Sequence, residues 1–194
     1  METIALIRKA IMQDPDNIEF TKKGWSPIFM ASPQAKLLLV GQAPGIQTQE
    51  KNQSFMDRSG NKLREWMGVT EDFFYNSGKI AVLPLDFYFP GKGKTGDLPP
   101  RKDFAAKWHP QLIERMPQIE LTLLIGAYAQ KFYLKDRIKR NSTETVRSYQ
   151  EYLPEYFPLV HPSPLNIRWF KKNPDFEEII VPELQSIIKS ILYE

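Results

Sequence analysis

Three short runs of apolar residues place the strongest constraint on how this chain can fold. They are the segments 36–40 (KLLLV), 79–83 (KIAVL) and 121–125 (LTLLI), and each is apolar at successive positions, not at alternate ones. A strand with that pattern is buried on both faces, as in a parallel sheet that is covered by helices on each side. A fourth run, 157–160 (FPLV), predicts one further strand.

The stretches between these runs have the apolar spacing of helices. Strands that alternate with helices predict an α/β fold, here a three-layer α/β/α sandwich with a central four-stranded parallel sheet. The 194 residues suit one domain, which we expect to cover 1–194. The predicted helices cover 1–15, 61–67, 104–115 and 127–134, a segment from the capping pair Asn141 and Glu144 to Tyr152, and 176–192, where Pro182 interrupts the helix or starts it again.

The composition excludes several kinds of site. The chain has no cysteine and two histidines, so it holds no disulfide, no Cys-ligated zinc and no Cys-held iron–sulfur cluster. A magnesium or calcium site made of carboxylates is not excluded by counting. The net charge of +3 permits a polyanionic partner without requiring one. No apolar run approaches the roughly 20 residues of a membrane span, and the first residues lack the features of a signal peptide, so we expect a cytoplasmic protein.

Two loops at predicted strand ends carry the residue types of a functional site. The first, Gly41–Gly45 (GQAPG), follows the first strand, and its glycines allow close approach to a ligand. The second, His161–Asn166 (HPSPLN), follows the last strand, and its prolines hold a histidine that can donate a hydrogen bond to developing negative charge. Ligands of such sheets bind at the carboxyl ends of the strands. Ordinary turns would explain either loop equally well.

Three other features stay open between a structural and a functional interpretation. The run Gly93–Thr95 (GKT) imitates the end of a phosphate-binding loop, but Tyr88 stands where that motif needs a glycine. The surrounding basic and aromatic segment fits either a solvated loop or a track for a nucleic-acid backbone. The densest basic stretch, 131–147, fits either a solvated helix face or DNA contact. His109 is interpreted as a structural or surface residue, with a role in the site as the alternative.

Taken together, the GQAPG and HPSPLN loops resemble the two signature motifs of the uracil-DNA glycosylase superfamily, its water-activating loop and its His-Pro-Ser leucine loop. Phe55 stands ten residues after Gly45, which is the spacing of the base-stacking phenylalanine in the iron–sulfur branch of that superfamily. The following run, FMDRSGNKL, also resembles that branch. Motif order and strand–helix rhythm match from about Ala35 to Lys171.

The resemblance implies a role for each matching residue. His161 would donate a hydrogen bond to the departing base, and Gln42 would position the attacking water. The base pocket would be formed by Gly41, Ala43, Pro44, the stacking ring of Phe55 and, in the segment after the second strand, Asp86. The predicted DNA contacts are Ser163 and Arg168 to phosphate, Leu165 as an apolar wedge that fills the gap left by a flipped base, and Asn166.

The chain departs from the superfamily that it resembles at three points. The usual base-recognising asparagine after the second strand is not evident, and Asp86 stands in about that segment. The chain also lacks the four cysteines of the iron–sulfur branch, and it has Gln42 and Ala43 where other branches carry a glutamate or an aspartate. An amide can hold a water but cannot take up its proton. The expected function is therefore a DNA glycosylase acting on uracil or another deaminated or damaged base. The alternatives are a nucleic-acid-binding protein without hydrolysis and a hydrolase of free nucleosides or nucleotides. We expect DNA as the partner, a monomer, and no cofactor, metal or membrane.

Overall fold

The computed structural model describes residues 3–193. Its central sheet has four strands, all parallel, in the spatial order Ile80–Val82, Leu37–Val40, Leu121–Ile125 and Tyr156–Leu159. The three continuous apolar runs and the run at 157–160 form these four strands, so the predicted sheet is confirmed. The strands are β1 (Leu37–Val40), β2 (Ile80–Val82), β3 (Lys92–Gly93), β4 (Gly96–Asp97), β5 (Leu121–Ile125) and β6 (Tyr156–Leu159), of which β3 and β4 form a separate antiparallel hairpin.

Burial on both faces explains why the strand sequences are continuously apolar. In β1, Leu37 and Leu39 point into one core, whereas Leu38 and Val40 point into a second core on the other side of the sheet. The first core is closed by the helices at 58–67, 71–76, 142–147 and 181–193, and the second by the helices at 4–13, 104–113 and 127–134. This is the predicted three-layer α/β/α sandwich.

Six helices of the described residues match the predicted segments with shifted ends, whereas the short helices at 18–22, 46–51, 71–76 and 167–172 were not predicted. Residues 1–2 of the predicted first helix and residue 194 of the predicted domain lie outside the described residues. The helices are α1 (Ile4–Gln13), α2 (Ile18–Lys22), α3 (Ile46–Lys51), α4 (Arg58–Met67), α5 (Glu71–Asn76), α6 (Phe104–Ile113), α7 (Ala127–Leu134), α8 (Ser142–Arg147), α9 (Ile167–Lys172) and α10 (Val181–Tyr193).

Two helix ends show how local sequence sets the boundaries. Asn141 caps α8, since its Oδ1 accepts a hydrogen bond from the amide of Glu144 at 2.9 Å. The helix stops at Arg147 and a 3₁₀ turn continues to Tyr152, so the single helix predicted there is wrong in length. A π-helical turn over Phe176–Ile180 runs directly into α10, where the amide of Val181 donates to the carbonyl of Phe176. Pro182 therefore lies at the junction of the π-helical turn and α10, inside a continuous helical segment.

The parallel strands bring their exit loops to one edge of the sheet, which we call the carboxyl edge. It carries the loops after β1, β2, β5 and β6. Only β5 separates β1 from β6, so the exits of these two strands lie roughly 10 Å apart. In the described residues, no helix has both the length and the apolar character needed to cross a membrane.

Candidate active site

The loops after β1 and β2 are held together by backbone hydrogen bonds. The amide of Leu85 donates to the carbonyl of Gly41 at 2.9 Å, and the amide of Asp86 donates to the carbonyl of Gln42 at 3.2 Å. The backbone of the GQAPG loop is therefore fixed independently of its side chains. Gln42 is half-buried, and within residues 3–193 its carboxamide has no hydrogen-bond partner. That amide is free to bind a water or a substrate.

The ring of Phe55 lies beside Gly41. A Cβ atom on Gly41 would stand 3.8 Å from Cζ of Phe55, an ordinary van der Waals contact, so the ring lies directly against the loop after β1. Phe55 has a left-handed backbone (φ 56°), an uncommon conformation for a bulky residue. Arg64 donates to its carbonyl at 2.9 Å, and Gly60 packs so closely that a Cβ there would lie 1.8 Å from the same oxygen. The start of α4 thus holds Phe55 over the β1 exit.

His161 follows β6, where the tautomer of its imidazole is set by the loop. The amide of Ser163 donates to Nδ1 at 3.2 Å, so in the neutral ring the proton is on Nε2. The side chain of Asn166 donates to the carbonyl of His161 at 2.8 Å and braces the loop from the other side. Burial lowers the pKa of His161, and this effect is opposed by the negative charge of Asp57. The ring is therefore a neutral hydrogen-bond donor at pH 7.

Asp57 lies in the FMDRSGNKL run, and no role was predicted for it from the sequence. Its charge acts on His161, and it stands two residues after Phe55, so the Phe55 segment and the His161 loop face the same region. Its Oδ1 accepts a hydrogen bond from the amide of Gly60 at 2.9 Å, which caps α4. An aspartate just before a helix is a common cap, so the sequence offered a signal for the capping role and none for the nearness to His161.

The remaining residues of the HPSPLN loop divide into inward and outward positions. Asn166 points back to His161, so its amide is used within the loop. Ser163 Oγ accepts from the amide of Leu165 at 3.2 Å and can still donate its own proton. Leu165 is 90 % exposed, the highest value for any large apolar side chain described. Arg168 is exposed at the start of α9, and it forms no ion pair within residues 3–193.

Asp86 has a different environment from the one predicted. The carboxylate is fully buried, and Arg101 binds it with two hydrogen bonds, Nε to Oδ2 at 2.7 Å and Nη2 to Oδ1 at 2.8 Å. The amides of Tyr88 and Arg101 also donate to it, at 3.0 and 3.2 Å. These four bonds use its acceptor capacity. Its contacts are those of a structural ion pair and leave no oxygen to read a base.

The GKT run forms the turn of the β3–β4 hairpin. A phosphate-binding loop joins a strand to a helix, so this geometry removes that interpretation. Lys92 pairs with Asp97 at 2.6 Å across the hairpin, and Oδ2 of Asp97 would lie 3.7 Å from a Cβ on Gly45. The basic segment therefore folds back against the GQAPG loop.

His109 is a buried structural residue. Its Nε2 lies 2.9 Å from the carbonyl of Pro84, which can only accept, so Nε2 carries the proton and Nδ1 accepts from the hydroxyl of Tyr133 at 2.7 Å. Burial lowers its pKa to about 4. His109 thus links the segment after β2 to α6 and α7. This agrees with the structural interpretation predicted from the sequence. Within residues 3–193 no group of three or more His, Asp or Glu side chains could hold a metal ion.

Ala43 and Pro44 complete the GQAPG loop, half-buried and buried respectively, directly beside Gly41 and Gln42. The carboxyl edge therefore brings together the GQAPG loop, the ring of Phe55 and the His161 loop. The Asp86 carboxylate is held by Arg101 and is not free to join this group.

Comparison with known proteins bears on the fold and the family of the chain. The solved structure of a candidate uracil DNA glycosylase from Methanosarcina acetivorans, determined by solution NMR, is similar to the chain with a TM-score of 0.50. The two sequences are 15 % identical, and the match covers 84 % of this chain and 94 % of the other, which supports the shared fold. The uracil DNA glycosylase superfamily model matches residues 29–185, more than half of the sequence. The chain therefore belongs to the uracil DNA glycosylase superfamily.

Proposed function

We propose that the protein is a DNA glycosylase that hydrolyses the N-glycosidic bond of uracil or of another deaminated base. The observation that carries this proposal is the state of His161. A neutral imidazole with its proton on Nε2 can donate a hydrogen bond to a base carbonyl as negative charge develops there. No proton has to leave the ring beforehand. The stiff loop fixes the direction of this donor, because Ser163 and Asn166 both bind it.

The bond breaks between the sugar C1′ and the base nitrogen, and the electron pair leaves with the base. Catalysis then consists of stabilising an anionic base and a cationic sugar. Nε2 of His161 stabilises the base, and the negative charge of Asp57, which acts on His161, favours the cationic sugar. A water held by Gln42 adds its oxygen to C1′ and releases its proton to solvent, since an amide cannot retain it.

The exposed Leu165 supports DNA as the substrate. A base in a duplex must leave the stack before any residue can reach it, and an apolar wedge fills the gap that it leaves. A side chain that is 90 % exposed and four residues from His161 suits that task. Phe55 beside Gly41 offers a face on which the extracted base stacks. The proposal includes a monomer that works in the cytoplasm without a cofactor.

One observation favours a second candidate, a glycosylase-like protein that binds nucleic acid without hydrolysing it. The GQAPG loop contains no carboxylate, and Gln42 and Ala43 occupy the positions of the missing acids. In that case His161 and Leu165 would help to hold a flipped base, and the base would not be released. The two candidates differ in product and share DNA binding.

The test is a panel of oligonucleotides that carry uracil, hypoxanthine or xanthine, each single-stranded and in a duplex, followed by alkali to cut abasic sites. Base release from at least one of them is the expected result. DNA binding without release from any would support the second candidate. If the protein neither binds any of these oligonucleotides nor releases a base, both candidates are wrong.

A further inference from the structure

A second feature near the carboxyl edge is a groove between α7 and the segment that leads into α6. It encloses about 460 Å³, a size typical of ligand sites. We call it the α6–α7 groove. Its lining residues are Leu85, Pro100, Arg101, Lys102, Asp103, Ala105, Tyr128, Lys131, Phe132 and Lys135.

The α7 wall of the groove is a stripe of aromatic and basic side chains. Tyr128, Lys131 and Phe132 have the spacing of one helical face, and Lys135 follows the last residue of α7 and lines the same groove. Residues of the opposite face, such as Leu134, are buried in the core. The core is already covered by the opposite face of α7. Packing within the chain therefore does not account for the aromatic side chains on the groove face.

The two aromatic rings are exposed and partly fixed. Tyr128 is 47 % exposed and Phe132 is 37 % exposed. The ring of Phe132 meets Tyr133 edge-on at 5.1 Å and His109 at 6.1 Å, which supports it from behind. One helical turn separates Tyr128 from Phe132, so about 6 Å of rise lies between them. Rings placed in this way can stack on successive bases of a strand.

The charge of the groove is positive. Lys102, Lys131 and Lys135 form no ion pair within residues 3–193. Arg101 is neutralised by Asp86, and the one other acid in the lining is Asp103. Three free lysines against one carboxylate complement a phosphate backbone. Aromatic faces between basic side chains are the pattern that binds single-stranded nucleic acid without base preference.

The groove also begins next to the candidate active site. Gly126 precedes α7, and a Cβ on it would stand 3.7 Å from Cβ of His161. Tyr128 is two residues further along. A strand whose base is held at His161 can therefore continue along α7 without crossing the rest of the molecule.

We propose that the α6–α7 groove binds a stretch of single-stranded DNA adjacent to the base held at the candidate active site. Bases stack on Tyr128 and Phe132, and phosphates lie against the lysines at 102, 131 and 135. The proposal rests on the proposed function for its choice of DNA. It assigns to the protein a substrate with an unpaired strand next to the target base.

The test measures fluorescence anisotropy with a labelled oligothymidine of about twelve nucleotides, which lacks any base to be released. Tyr128→Ala with Phe132→Ala should weaken binding about tenfold or more, because each lost stacking interaction has an effect of that order. Lys131→Gln with Lys135→Gln should reduce the salt dependence of log K by roughly 0.7 for each lost phosphate contact. Tyr128→Ala alone and the lysine pair remain informative if Phe132→Ala disturbs folding.

The matched control is Tyr193→Ala with Lys189→Gln. Both residues are exposed and lie on α10, on the opposite side of the sheet from α7, and this pair should leave binding unchanged. Unchanged binding in the folded groove variants would overturn the proposal. The proposal would also be overturned if labelled polyglutamate bound the groove and the oligonucleotide did not, since that result would mark a protein-docking surface. Base release is assayed separately. If the protein releases the base and the groove variants change nothing, the groove proposal is wrong and the proposed function stands. If binding depends on the groove and no base is released, the proposed hydrolysis is wrong and the groove proposal stands.

Discussion

The amide of Ser163 donates a hydrogen bond to Nδ1 of His161, two residues back in the same loop, at 3.2 Å. This contact leaves the Nε2 proton as the group that the imidazole presents. Asn166 holds the carbonyl of His161 at 2.8 Å, so both the ring and its backbone are fixed before any ligand arrives. A donor fixed in advance costs no reorganisation during the reaction.

The first prediction concerns the protonation of His161 itself. Burial lowers its pKa, so the ring should be neutral at pH 7 with a titration midpoint below its ordinary 6.5. Nitrogen-15 NMR should show a protonated Nε2 and an unprotonated Nδ1. The His161→Gln variant assigns the signals, because His109 is the one other histidine in the sequence. A midpoint above 6.5, or a proton on Nδ1, would contradict the structure of this loop.

The second prediction concerns Leu165. Since the side chain is 90 % exposed, Leu165→Ala should change the free energy of unfolding by no more than about 0.5 kcal/mol. Loss of the wedge should slow base release from duplex DNA about tenfold or more and leave release from single strands unchanged. Ile167→Ala, at a site 56 % exposed in the next helix, is the matched control. Equal slowing on both substrates would rule out the wedge.

The third prediction separates the two roles considered for Asp86. Arg101→Ala would leave a fully buried carboxylate without its partner, and breaking such a pair typically costs about 3–5 kcal/mol. Asp86→Asn should cost less, because Arg101 keeps its bonds to the carbonyl of Asp16 and to Asn17. Urea unfolding measures both changes. If Asp86→Asn were fully stable and changed which base is released, the predicted contact with the base would be right after all.

The fourth prediction is a pH dependence of stability caused by His109. Its pKa is about 4 in the folded protein against 6.5 in the unfolded chain, so the unfolded state binds more protons between these values. The contribution is fully present above pH 6.5 and is lost as the pH falls toward 4, by about 2 kcal/mol at pH 5.

The measurement compares urea unfolding of the wild type and His109→Gln at pH 7 and pH 5. His161 is present in both proteins, so its own contribution cancels. The wild type should lose more stability than the variant over this interval. Equal losses would mean that His109 is not buried in its neutral form.

The strands were predictable because burial on both faces leaves a direct trace in the sequence. Leu37 and Leu38 serve opposite cores, so neither position of β1 tolerates a polar residue. The sequence also predicts that the GQAPG and HPSPLN loops meet at one edge of the sheet, since the loops that follow parallel strands share that edge, and the candidate site rests on this placement. The strands β3 and β4 have two residues each, too short to leave any periodicity.

Other parts of the site depend on contacts that no local pattern encodes. Asp86 and Arg101 are fifteen residues apart, and only the folded chain pairs them. The nearness of Asp57 to His161 joins segments about a hundred residues apart in sequence. The left-handed backbone of Phe55 depends on Gly60 and Arg64, which lie within the following helix. These relationships arise from tertiary packing.

The most direct test of the account compares wild type and His161→Ala in single-turnover release of uracil from a single-stranded oligonucleotide. Both proteins must first show the same thermal unfolding. Loss of one fixed donor should slow release about a hundredfold or more, with DNA binding retained. Release by the variant at the wild-type rate would contradict the role of His161 and, with it, the proposed mechanism.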